Sequence, residues 1–263
     1  MELRVEPDST ATVLAGTFSH GQGHETVFAQ MVSEWLGIPF DAVRVVQGDT
    51  DAVRFGRGTV ASRSMINGGG SLRIATDQVI DKARAIAAHL MEVRPEDVVF
   101  EAGRLSVAGT DKAMPLKQVA ALSYKPILPP SLGIGLAGEG GFKLEGATYP
   151  NGCQVAEVEV DPETGEARLL SIVSIDDVGT VLNPLLLDGQ LVGGIAQGLG
   201  QAMMEQVVYD DEGQVLTGSF MDYAMPRAED IPPIRVETLS TPTASNPLGV
   251  KGAGEAGTVG ATP

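Results

Sequence analysis

The first half of the chain alternates short strand-like stretches with stretches of helical spacing. Residues 2–5 and 11–17 flank a Pro-Asp-Ser turn and predict a β-hairpin. A helix is predicted next, ending at Gly37 and Pro39, with apolar residues three or four positions apart: Val27, Phe28, Met31, Val32 and Trp35. The pattern then predicts a strand at 43–48, a loop at 49–63, a long helix at 64–92 and a hairpin at 98–107.

The second half repeats this plan. CQVAEVEV and ARLLSIVSI predict a hairpin that turns at DPETG. A loop leads into a predicted helix over 184–205, with Asn183 as its N-cap and Pro184 in its first turn. A further hairpin is predicted at 207–216 and a strand at 234–239. The last segment, NPLGVKGAGEAG, is typical of a glycine loop that enters a helix.

Strands and helices in blocks predict an α+β fold made of two similar hairpin-plus-helix subdomains. We assign residues 1–125 to the first subdomain, 126–148 to a Pro/Gly-rich connector and 149–263 to the second. The chain opens in a strand-like segment and stops where a helix begins. We therefore expect a piece of a longer polypeptide, with the second subdomain truncated at its C-terminus.

Composition narrows the function classes. The net charge is −16, which argues against nucleic acid and anionic membranes as partners. One cysteine and three histidines are too few for an iron–sulfur cluster or a structural zinc site, so we predict no protein-bound metal. No apolar run is long enough for a membrane span, and no signal peptide is visible, which predicts a cytoplasmic protein.

Four stretches combine glycine with a few polar residues: GQGHET at 21–26, SRS at 62–64, AQGLG at 196–200 and GAGEAG at 252–257. Glycine lets a ligand reach main-chain N–H groups, and a helix that starts after such a loop offers donors and a positive dipole end. The pattern suits a phosphorylated heterocyclic cofactor. Neither a Rossmann fingerprint nor a P-loop is present.

Two charged features each allow two interpretations. Arg54, Arg57 and Arg63 either bind phosphate or pair with Asp49 and Asp51 on the surface. Glu255 is either a general base at a cofactor or a glutamate that stabilises a helix N-terminus. His24 suits a phosphate contact or a turn cap better than a metal site.

These stretches together resemble the molybdenum-binding large subunits of the xanthine dehydrogenase, aldehyde oxidase and aerobic carbon monoxide dehydrogenase family. Seven strings match its C-terminal half in order: SHGQGHETVFAQMVSEWLGIP, VVQGDTD, GRGTVASRS, YPNGCQVAEVEVDPETGE, DDVGTVLNPLLLDGQLVGGIAQGLGQAMMEQ, DYAMPRAEDIP and TPTASNPLGVKGAGEAG.

The resemblance implies an oxidoreductase that acts on aldehydes, N-heterocycles or carbon monoxide with a molybdenum–molybdopterin cofactor, as the cytosine dinucleotide. It implies that Glu255 is the catalytic base. It also implies a set of cofactor-binding residues: Gln22, Gly23, His24, Ser62, Arg63, Ser64, Gln197, Gly198 and Gly254.

Several parts of the family's machinery lie outside this sequence. The implied partners are the N-terminal half of the large subunit, an iron–sulfur subunit, an FAD subunit and a small-molecule substrate. We therefore expect the chain to be inactive alone and to retain no cofactor in isolation. One alternative is a non-catalytic module that binds the pterin dinucleotide or takes part in cofactor maturation. Another is a structural or interaction fragment that binds no ligand.

Overall fold

The computed structural model describes residues 1–262. The chain divides into two compact units: unit 1 is Met1–Glu145, and unit 2 begins at Gly146. Each unit has its own sheet and its own buried core.

Unit 1 begins with the elements that the sequence predicts. They are β1 (Glu2–Val5), β2 (Ala11–Ala15), α1 (His24–Leu36) and β3 (Val43–Gln47). β1 and β2 form the predicted hairpin, and β3 returns parallel to β2 after helix α1. The helix ends where Gly37 takes a left-handed conformation (φ 63°), as the sequence predicts.

The rest of unit 1 adds a long helix and a second, smaller sheet. The predicted helix over 64–92 begins as a π-helical segment, Ser64–Gly69, and continues as α2 (Gly70–Met91). The predicted hairpin at 98–107 forms. A third strand pairs with it and a short helix follows, and neither was predicted from the sequence. The elements are β4 (Val98–Glu101), β5 (Arg104–Val107), β6 (Ala113–Pro115), α3 (Leu116–Ser123) and β7 (Leu136–Glu139).

The main sheet of unit 1 has four strands in the order β3-β2-β1-β7, and α2 packs on β1 and β7. The segment 126–148, expected as a connector, thus contributes β7, which pairs antiparallel with β1. Gly138 and Gly140 lie against the main chain of α2, where a Cβ would come within 2.1 Å of Ala75 O and 2.0 Å of Ser71 O. The glycines expected in a connector are therefore sites of close strand–helix packing.

Unit 2 contains β8 (Asn151–Val160), β9 (Ala167–Asp177), α4 (Pro184–Met203), β10 (Ile234–Leu239) and α5 (Ala256–Ala261). Its three-stranded sheet has the order β10-β9-β8. One face packs on helices α4 and α5, around a small core of Ile172, Ile195 and Leu199. The predicted hairpin at 207–216 is reduced to a single bridge between Tyr209 and Val215.

The two units share one topology. In each, an antiparallel hairpin leads through a helix to a third strand that pairs parallel to the second: β1-β2-α1-β3 and β8-β9-α4-β10. The structure confirms the predicted α+β class.

Candidate functional site

The first predicted cofactor loop ends at the N-terminus of α1. Gly23 caps this helix in a left-handed conformation (φ 78°), and Gly21 has φ 106°. A Cβ at Gly21 would meet no atom within 4 Å, so the space around this residue does not require glycine. Its positive φ does, because side chains other than glycine's rarely adopt that conformation. The loop therefore leaves open space beside the first turn of a thirteen-residue helix.

Gln22 is engaged inside this loop. Its Oε1 accepts from the main-chain N–H of His20, and its Nε2 donates to Phe18 O at 3.2 Å. In this structure the side chain therefore fixes the loop's shape, and one hydrogen of the Nε2 amide remains for a ligand.

The second predicted segment is joined to the first. Arg57 and Gly58 donate their main-chain N–H groups to Gly16 O at 3.1 and 3.2 Å. Thr59 Oγ1 donates to Phe18 O at 2.6 Å and lies 2.9 Å from the buried Ser64 Oγ. The structure thus brings the loop at 18–24 and the SRS stretch together through Thr59.

The turn before the π-helical segment is strained. Ala61 (φ 54°) and Ser62 (φ 50°) are consecutive non-glycine residues in the left-handed region. Such a conformation costs ~1–2 kcal/mol per residue and tends to persist at functional sites. The half-buried Arg63 lies between this turn and the π-helical segment.

The surface-pairing interpretation of the arginines finds no support. Among residues 1–262, no salt bridge joins Arg54, Arg57 or Arg63 to Asp49 or Asp51. The Asp49 carboxylate instead accepts from main-chain N–H groups of its own loop. Arg54 and Arg57 are exposed, and Arg63 is half-buried at the start of the SRS stretch's π-helical segment.

His24 is 3% exposed, and its Nδ1 has no hydrogen-bond partner. Its ring lies 5.5 Å from that of Phe28, centroid to centroid. Burial lowers the pKa of His24 and favours the neutral ring, while the Gln47 side chain and Glu25 act in the opposite direction. A neutral, buried imidazole of this kind can accept one hydrogen bond from a ligand, or donate one to it, through its unpartnered Nδ1 atom.

In unit 2, the third predicted stretch lies inside α4. Gln197 is exposed, and Gly198 is buried against α5, where a Cβ would come within 2.8 Å of Ala261 Cβ. Gly257 of α5 lies equally close to α4, since a Cβ added at this position would lie 2.3 Å from Leu191 O. These glycines allow two helices to touch, a role that the sequence reading did not assign.

Gly254 and Glu255 are exposed and lead into α5, with Glu255 as its N-cap residue. Glu255 O accepts from Val259 N at 3.2 Å. Gly198 faces Ala261 at the C-terminal end of this short helix, whereas Glu255 stands at its beginning. Within unit 2, Gly198 of the third stretch thus packs on Thr258 and Ala261 of α5, and Glu255 precedes this helix.

A partly buried ion pair lies next to the Glu255 segment. Lys251 Nζ is 2.8 Å from Asp177 Oδ2, at the end of β9. The hydrogen bond from Lys251 is the largest cause that holds the pKa of Asp177 well below its usual range. The sequence reading missed this pair because its partners are 74 residues apart. Gln47 was missed too, because its sequence context indicates only the end of a strand.

Among residues 1–262, no group of three or more His, Cys, Asp or Glu is arranged to hold a metal ion. None of the helices in this range combines the length and apolar character that a membrane crossing needs.

The family model for the molybdopterin cofactor-binding domain matches residues 1–232. The chain belongs to this family. Over its whole length, the chain is 36% identical to the carbon monoxide dehydrogenase large chain of Afipia carboxidovorans. It is 35% identical over 262 residues to the nicotine 6-hydroxylase large subunit of Paenarthrobacter nicotinovorans. These matches confirm the predicted resemblance to large subunits of this enzyme group.

Solved structures agree with the sequence matches. Cu,Mo-carbon monoxide dehydrogenase superposes over the whole chain with a TM-score of 0.93 at 36% identity. Quinoline 2-oxidoreductase from Pseudomonas putida 86 gives 0.91 at 37% identity over 99% of the chain. The chain spans about a third of each of these relatives: 32% of the two large subunits and 33% and 34% of the two solved chains.

Proposed function

We propose that this chain binds a molybdopterin cofactor as its cytosine dinucleotide and supplies Glu255 as the general base of a molybdenum hydroxylase. In unit 1, Gln22, Gly23, His24, Ser62, Arg63 and Ser64 would hold the dinucleotide. In unit 2, Gln197, Gly198 and Gly254 would contribute further contacts. The observation that carries the proposal is the joined pair of loops in unit 1, at the start of α1.

The residues present fit such a group. The space beside Gly21 is open, and the His24 Nδ1 atom is buried without a partner. The N-terminus of α1 and the half-buried Arg63 favour a phosphate. The Ser62 and Ser64 hydroxyls could contact phosphate or ribose oxygens. When bound, the cofactor supplies the redox chemistry, and the chain orients it.

Glu255 is exposed at the start of α5, where its carboxylate would be accessible as the general base. We propose that substrate access and exclusion of water depend on polypeptide beyond this chain, which spans a third of its relatives. With a single cysteine, electron transfer would require iron–sulfur and FAD subunits. The chain alone would then be inactive and would retain no cofactor.

The alternative is a non-catalytic module that binds the pterin dinucleotide or serves its maturation. The exposure of Glu255 is compatible with this alternative as well. The two proposals share the nucleotide contacts and differ in the role of Glu255.

The nucleotide contacts are tested by thermal denaturation of the full chain with cytidine diphosphate, and with guanosine diphosphate for comparison. Binding to the folded state raises the Tm, and we expect a larger rise with the cytidine nucleotide. His24→Ala and Arg63→Ala should abolish the rise, whereas the exposed Arg94→Ala should retain it. Equal responses in all variants would contradict the assignment.

The catalytic role is tested after the chain is joined to the remaining polypeptide of a large subunit and loaded with cofactor. Glu255→Gln should keep the molybdenum content and lower turnover ~10²–10⁴-fold. The exposed Glu229→Gln is the matched control and should retain turnover. Near-normal turnover in Glu255→Gln would remove Glu255 from catalysis, and no turnover in any variant despite bound cofactor would favour the non-catalytic module.

A further inference from the structure

We propose that Asp177 and Lys251 are a positioning pair that holds the Gly252–Glu255 segment in the conformation in which Glu255 acts. The inference rests on the proposed catalytic role of Glu255. Asp177 and Lys251 would contact neither substrate nor cofactor and would act only through the position of Glu255.

The pair is unusually buried for this chain. The Lys251 and Asp177 side chains are 10% and 13% exposed, whereas both partners are at least 24% exposed in every other salt bridge among residues 1–262. Exposed pairs contribute little, whereas removal of one partner of a largely desolvated pair leaves a charge with less compensation. We therefore expect the conformation of the chain around Lys251 to depend on this ion pair.

Asp177 joins three segments at one carboxylate. Its Oδ1 accepts from Gly179 N at 2.9 Å and from Thr241 N at 3.0 Å, while Oδ2 accepts from Lys251 Nζ. The donors come from the end of β9, from the chain that follows β10 and from the chain that leads to Glu255. The pKa of Asp177 is lowered, in the first place by Lys251, so the carboxylate is charged at neutral pH.

Hydrogen bonds hold the main chain that leads to Lys251 in place. Lys251 N donates to Val178 O at 2.8 Å, and Val250 forms an antiparallel bridge with Gly179. The buried Asn246 Nδ2 donates to Val250 O at 2.8 Å. These contacts fix where the segment leaves the body of unit 2, and the Lys251 side chain fixes its orientation there.

The segment is also fastened beyond Glu255. Gln154 Nε2 donates to Gly257 O at 3.1 Å, and Thr258 Oγ1 donates to Gly194 O at 2.9 Å. Glu255 thus lies on a short stretch between two anchors, Lys251 and Gly257. Loss of the Lys251 side-chain contact leaves this end of the stretch held by main-chain contacts alone. We expect this to broaden the range of positions open to the Glu255 carboxylate.

The test is amide hydrogen exchange of the full 263-residue chain, which requires neither cofactor nor turnover. We expect Lys251→Met and Asp177→Asn to speed exchange at 252–257 about tenfold or more, while amides of α4 and β8 keep their protection. Lys251→Arg should restore most of the protection because it keeps the ion pair. Arg168→Met, which removes an exposed salt bridge in the same unit, should leave 252–257 unchanged.

A variant that leaves one charge buried could unfold unit 2. The double variant Asp177→Asn/Lys251→Gln avoids this because no lone charge remains and the new amide side chain at position 177 still offers an acceptor. Wild-type protection at 252–257 in this folded double variant would overturn the proposal, and faster exchange confined to that segment would support it.

In the cofactor-loaded enzyme, Lys251→Met should lower kcat more than it changes KM, with the molybdenum content unchanged. Lys251→Arg should recover kcat. If Glu255→Gln turns over normally while the exchange result holds, the catalytic role of Glu255 fails and the anchoring stands. If Glu255→Gln is inactive but Lys251→Met neither loosens the segment nor lowers kcat, the positioning pair fails alone.

Discussion

The side-chain amide of Gln47 donates to the carboxylate of Glu25, with Nε2 and Oε1 2.7 Å apart. This contact ties the last residue of β3 to the first turn of α1. Gln47 also acts on the neighbouring His24 ring, where its side chain raises the pKa against the larger effect of burial. The end of one strand thereby sets the electrostatic surroundings of a proposed cofactor-binding histidine.

Removal of the Gln47 amide should lower the pKa of His24 further, because burial would then act with less opposition. We expect Gln47→Leu to shift the His24 titration to lower pH in an NMR experiment. Gln118→Leu, at an exposed position of α3, is the control and should leave it in place. An upward shift in Gln47→Leu would contradict this arrangement.

His24 should also make unfolding pH-dependent. Its pKa is lower in the folded chain than the ~6.5 of an unfolded histidine, so its neutral form is favoured by folding. The stability that it contributes is complete above ~6.5 and declines as the pH falls from there to the folded pKa, by up to ~1.4 kcal/mol per pH unit. Urea unfolding at several pH values should show a smaller decline for His24→Gln than for the wild-type chain, and an equal decline in the two would contradict this assignment.

Gly257→Ala should separate the two packed helices of unit 2. The new methyl group would lie 2.3 Å from Leu191 O, and overpacking of this kind costs ~1–3 kcal/mol. Gly193→Ala is the matched control, since a Cβ there meets nothing within 4 Å and alanine is the better helix former by up to ~1 kcal/mol. Denaturant midpoints of the two variants should move in opposite directions.

Gly16→Ala should disturb the joined loops of unit 1. A Cβ at this position would lie 2.5 Å from Phe55 O, a main-chain atom that cannot move without the loop. We expect loss of the thermal shift with cytidine diphosphate. Gly141→Ala, where a Cβ meets nothing within 4 Å, should keep the shift, and the same response in both would argue against a joined-loop site.

Asn183→Ala should weaken α4 at its start. The Asn183 Oδ1 atom accepts from Leu186 N at 3.1 Å, and loss of such a cap costs ~1 kcal/mol. Asn183→Asp keeps an acceptor and should retain most of the stability in chemical denaturation. An unchanged midpoint in Asn183→Ala would show that the cap is dispensable.

The sequence by itself determined many of the local elements. The hairpins β1–β2, β4–β5 and β8–β9, the end of α1 at Gly37 and the start of α4 at Asn183 depend on residues close together in the sequence. Strand β6 and helix α3 were not predicted, and the predicted hairpin at 207–216 forms only a single bridge. Periodicity, turn residues and caps indicate such elements because none of these signals requires a partner from elsewhere in the chain.

The tertiary structure alone decided which distant segments meet. β7 pairs with β1 across more than 130 residues, from a stretch whose glycines and prolines predict a connector. The contact of Thr59 with Phe18 and the ion pair of Asp177 with Lys251 join residues 41 and 74 positions apart. The physical reason is that a close approach or a buried ion pair arises only when folding brings two surfaces together, so neither partner alone carries the pattern.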